Sequence, residues 1–177
     1  MRTSLRLAGL TALGAALASS GAASGQSAST VSLADATTRA ALELCPASLE
    51  GKLGLNDAAA LAPFGVAPAP DSAEAPLREK FTGVEMARGT FASGTMTVLV
   101  WDPHRCIVVI GGNDRLAARD TVMAAVAAKG GTLVNESTEA DGSVFREFKL
   151  GDYSVTSQTR VDGSTSIGVT PMKYRYQ

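Results

Sequence analysis

The sequence predicts an α+β fold: a single domain, largely antiparallel β-sheet, with helices packed mainly on one face. Three features predict it. Apolar residues between positions 33 and 62 recur at helical spacing. From position 81 onward, short β-rich runs alternate with Gly- and Asp-containing turns. One amphipathic segment, 115–129, interrupts those runs. The 177-residue chain is 45 % hydrophobic and 19 % charged, which is the balance of a globular protein and not of a disordered one.

Residues 1–23 read as a cleaved signal peptide. Arg2 and Arg6 flank the start of an apolar run at 7–18, and Gly21, Ala22 and Ala23 supply small residues for cleavage. The run is shorter than the ~20 residues a membrane-spanning helix needs. Residues 24–32 read as a flexible lead, and 33–177 as one domain. No later run is long and apolar enough to span a bilayer. The expectation is a periplasmic or secreted protein without a transmembrane segment after cleavage.

The first helix starts at Ser32, an N-cap with Asp35 three residues on. Leu33, Ala36, Ala40, Ala41 and Leu44 form its apolar face, and Pro46 is expected to end it. Asn56 and Asp57 open a short Ala-rich helix at 58–62, stopped by Pro63. A Pro/Ala-rich loop is expected at 65–76. Strand pieces follow at 81–88 and 90–92, broken by Gly89. Strands at 95–101 (TMTVLVW) and 105–111 (RCIVVIG) form a hairpin around Asp102, Pro103 and His104. The apolar run 107–110 predicts a central strand buried on both faces.

Gly111 and Gly112 turn the chain, and Asn113 or Asp114 caps the helix 115–129. Leu116, Val122, Met123 and Val126 form its buried stripe, and Gly130 and Gly131 end it. A meander closes the chain with strands at 132–137, 144–150, 153–161 and 165–170. Tyr153, Val155 and Val161 share one face of the third, and Thr165, Ile167 and Val169 one face of the fourth. Asp162-Gly163 is a hairpin dipeptide, and Pro171 limits further pairing.

Cys45 and Cys106 are the only cysteines. An even count in an exported chain predicts one disulfide, closing a loop of about 60 residues and worth about 4 kcal/mol in chain entropy. With a single His and two Cys, no metal site and no cofactor are expected. Removing Arg2 and Arg6 lowers the 16 basic residues to 14 against 17 acidic ones, taking the net charge from −1 to −3. That excludes a basic nucleic-acid footprint.

No motif marks a reaction. His104 beside Asp102 is the weak candidate for a general base. Arg115, at the strand-to-helix junction 111–115, is a weak anion-binding candidate, but helix capping reads better there. There is no nucleophile elbow, and Glu136, Glu139 and Asp141 read as a solvated turn. Lys173, Tyr174, Arg175 and Tyr176 alternate cations with aromatic rings, a candidate strip for an acidic or aromatic partner. A charge-protected edge or tail explains the same pattern.

The functional expectation is a non-catalytic binding or structural module of the periplasm or cell envelope. Its partner would be an envelope or extracellular protein, or a small ligand. Two alternatives remain: a small hydrolase using His104, and a secreted inhibitor acting through the 65–76 loop.

Overall fold

A computed structural model describes residues 31–70, 83–101 and 104–175. The signal segment and most of the lead lie outside those residues, as do positions 71–76 of the Pro/Ala-rich loop, Asp102 and Tyr176. The architecture is the predicted α+β one: an eight-stranded antiparallel sheet with helices over one face. In chain order the elements are α1 (Leu33–Arg39), a π turn (Ala40–Leu44), α2 (Cys45–Leu49) and α3 (Ala58–Leu61). Strands β1 (Ala67–Pro68), β2 (Val84–Phe91), β3 (Gly94–Trp101) and β4 (Arg105–Gly112) follow. Then come α4 (Arg115–Ala128), β5 (Thr132–Thr138), β6 (Val144–Leu150), β7 (Tyr153–Thr159) and β8 (Thr165–Pro171).

The strand order is β1-β2-β3-β4-β8-β7-β6-β5. Helix α4 carries the chain away from β4, and the meander then steps back until β8 pairs with β4. Residues distant in sequence therefore meet at the β4–β8 seam. Side chains alternate between faces along a strand. On one face Met96, Val98, Val100, Cys106, Val108, Ile110, Ile167 and Val169 are buried beneath the helices. Leu33, Ala36, Ala40, Ala41 and Leu44 cover them, and α1 packs against α4.

Ser32 caps α1 as its sequence implies: the Asp35 amide donates to Ser32 Oγ at 3.0 Å. Pro46 does not end the helix. The wider π turn before it gives the proline ring room, with the Cys45 amide donating to the Ala40 carbonyl, and α2 continues to Leu49. This extra turn carries Cys45 over β4, where it forms a disulfide with Cys106 across 5.5 Å between α-carbons.

Several expectations are corrected. Gly89 does not break the strand: β2 runs through it, and the Gly65 carbonyl stands where a β-carbon would project. The 65–76 segment is not all loop, because Ala67 and Pro68 pair with β2. Strand β4 is buried on one face only: Val109 is 37 % exposed. Asp114 stands at the start of α4 but makes no side-chain cap. Leu116 is exposed, and Ala118 takes its place in the stripe of Val122, Met123 and Val126. β7 ends at Thr159, leaving Val161 exposed in the following turn. Pro171 still pairs with Tyr153.

No helix among the described residues is long and apolar enough to cross a membrane.

Candidate functional site: an open cleft on the helix-free face

The sheet register defines the site. Trp101 pairs with Arg105 across the β3–β4 hairpin. Two residues further along β4, Ile107 heads a row with Gly168, Thr156, Glu147 and Asn135 across β4, β8, β7, β6 and β5. These side chains face away from the helices, because their strand neighbours Cys106, Val169 and Val155 belong to the core. Above them lies a cleft of about 830 Å³, within the range of small-molecule sites.

The chain's C-terminal turn builds one wall. After Pro171 it curls through a short 3-10 helix, Met172–Tyr174. Tyr174 meets His104 with ring centroids 4.5 Å apart and planes at 58°. Arg175 reaches Glu147 on β6, its Nε at 2.6 Å from Oε1 and Nη2 at 2.7 Å from Oε2. Ser154 Oγ donates to the same carboxylate at 2.6 Å. Glu147 is only 7 % exposed, so three charge-assisted bonds hold an acid that would otherwise be costly to bury. Burial pushes its carboxyl up, but the hydrogen bonds from Arg175 and Ser154 outweigh that and leave it below the ordinary glutamate range.

Arg105 is different. Among the described residues, no acid or carbonyl pairs with its guanidinium. The group extends over Gly168 on β8. Its Nη2 lies 3.6 Å, and Thr156 Oγ1 2.5 Å, from the point a β-carbon on Gly168 would occupy. A β-carbon there would collide with the Thr156 hydroxyl and only touch Arg105 at ordinary contact distance, so the glycine makes room for the hydroxyl beside the cation. Thr156 Oγ1 makes only a long 3.4 Å bond to the Gly168 carbonyl. The cleft therefore holds one neutralised acid–base pair and one available cation, beside Trp101, Phe145 and Tyr174.

The sequence candidates are placed as follows. Tyr174 and Arg175 belong to the cleft, but not as part of an exposed linear strip: Arg175 is engaged with Glu147, and Lys173 lies over the Tyr174 ring at 4.8 Å. His104 lines the cleft. Arg115 is engaged with backbone carbonyls. Its Nε donates to the Gly163 carbonyl at 2.7 Å and Nη1 to the Gly112 carbonyl at 3.1 Å, tying the α4 start to the β7–β8 turn. Glu136 pairs with Arg146, and Asp141 holds Ser143, so both stabilise the β5–β6 hairpin. Among the described residues no cluster of three His, Cys, Asp or Glu is arranged to hold a metal.

Sequence reasoning missed Arg105, Thr156 and Glu147. Alternation along each strand places them on the face opposite the core, but only the β4–β8–β7–β6 order brings them together. The chain matches no family model, no curated protein and no solved structure.

Proposed function

We propose that this protein is an exported, non-catalytic binding module that takes a small ligand in the cleft on the helix-free face. The observation that carries the reading is Arg105, a cation that pairs with no acid or carbonyl among the described residues, set beside aromatic rings over a cleft of about 830 Å³. Sites of this kind combine apolar contact area with a few oriented polar groups. Export is supported by the apolar leader in the sequence and by the Cys45–Cys106 bridge, which suits an oxidising compartment. A binding role is favoured over hydrolysis because the His104 ring packs on Tyr174, and no described serine or carboxylate is hydrogen-bonded to it.

The test is an NMR titration of the 15N-labelled mature protein with a panel of neutral, cationic and anionic small molecules. Amide shifts should gather at His104, Arg105, Thr156 and Tyr174. Shifts confined to other surfaces contradict the reading. So does turnover of a panel member that disappears in His104→Ala.

A further inference from the structure

We infer, resting on the cleft as the binding site, that its ligand is an acidic sugar, a saccharide ring bearing a carboxylate that Arg105 receives. The charge arrangement argues for the acid. Glu147 and Arg175 neutralise each other through two bonds, so among the described residues the uncompensated charge on the floor is that of Arg105. A guanidinium presents a planar fork that matches a carboxylate with two parallel bonds. Gly168 leaves room for the Thr156 hydroxyl beside that fork, and the hydroxyl can donate a further bond to the same anion.

The other free polar groups argue for the sugar. Among the described residues the side chains of Asn135 and Thr170 line the cleft and make no internal hydrogen bond. With Thr156 they offer both donors and acceptors, which suits a body carrying several hydroxyls and wastes its potential on a purely apolar one. Trp101 and Phe145 line the cleft and supply aromatic surface against which a saccharide ring can rest. An aromatic acid would use the rings and Arg105 but leave Asn135 and Thr170 unmatched. An inorganic anion would use Arg105 and Thr156 and leave most of the cleft to water.

The experiment is isothermal titration of the mature, disulfide-bonded protein with trigalacturonate and with the neutral trisaccharide galactotriose, in low salt. Phenylacetate and inorganic phosphate serve as further probes. The same titrations are made on Arg105→Gln and Arg105→Lys, with melting temperatures recorded. Trigalacturonate should bind at least about tenfold more tightly than galactotriose. Arg105→Gln should abolish that difference without lowering the melting temperature, and Arg105→Lys should restore part of it, since an ammonium keeps the charge but loses the fork.

Equal binding of the two trisaccharides overturns the role of the carboxylate and leaves the cleft as the binding site. Binding of phenylacetate or phosphate but of neither trisaccharide overturns the sugar and again leaves the cleft. Failure of every probe to bind overturns the acidic sugar, and the panel titration above then decides separately whether the cleft binds anything.

Discussion

The two faces of the sheet are built from the same strands yet follow different rules. On β4, Cys106, Val108 and Ile110 are no more than 1 % exposed and belong to the helix-covered core, whereas Arg105 and Val109 are exposed on the opposite face. On β8, Ile167 and Val169 are buried under the helices, while Gly168 between them floors the cleft. Stability is concentrated on one face, where apolar area leaves water. The other face keeps polar groups that the fold does not consume. This separation lets the second face change without unfolding the protein, except at Glu147 and Arg175, where a buried ion pair ties the C-terminal turn to the sheet.

The largest test of this contrast lies on the covered face. Replacing both Cys45 and Cys106 with Ala should lower unfolding free energy by about 4 kcal/mol, because the bridge closes 61 residues of separation. Denaturant titration checks it, and a change below about 1 kcal/mol would remove the staple from the account.

Ile167→Ala comes next. Its side chain is fully buried, so the cavity should cost about 3 kcal/mol. Arg105→Gln, on the neighbouring strand but the opposite face, should stay within about 0.5 kcal/mol of the parent. Equal losses for the two variants would erase the distinction between the faces.

Arg175→Ala should cost less than Ile167→Ala, about 2 kcal/mol at neutral pH, because it strands a buried carboxylate whose partner was itself partly exposed. Its pH dependence sharpens the point. In the parent, the Glu147 carboxyl is held below its ordinary value of 4.5. The contribution is therefore complete above about 4.5 and disappears as pH falls through the lowered folded value. In the variant burial acts with less opposition, pushing the carboxyl the other way, so acidification should relieve the penalty. Denaturation curves at several pH values should show the gap between the two proteins closing as pH falls. A gap that is constant with pH contradicts the role of Glu147.

Much of the covered face was legible in the sequence. Leu33, Ala36, Ala40, Ala41 and Leu44 announced the buried face of α1 and the π turn by spacing alone, and Thr165, Ile167 and Val169 announced the inner side of β8 by alternation. Local turn chemistry was equally readable at Gly130, where the left-handed backbone ends α4. Pro46 misled because the rule that proline stops a helix omits the π turn that accommodates it. The apolar run 107–110 misled for a different reason: Ile107 and Val109 lie on a half-covered face, and apolarity alone does not reveal what covers a strand. The cleft was largely illegible. Glu147 and Arg175 are 28 residues apart, and Arg105 reaches the β7–β8 pair only because the meander returns to β4. Such contacts follow from strand order, which local periodicity does not encode.

The most direct test is a methyl NMR titration of the protein, labelled at Ile and Thr methyls, with trigalacturonate. Thr156 and Thr170 line the cleft, and Ile110 and Ile167 stand on the buried face of β4 and β8. The account predicts saturable shifts at Thr156 and Thr170, with Ile110 and Ile167 nearly unmoved. Shifts as large at Ile110 and Ile167, or saturable binding that leaves Thr156 and Thr170 unmoved, would contradict it.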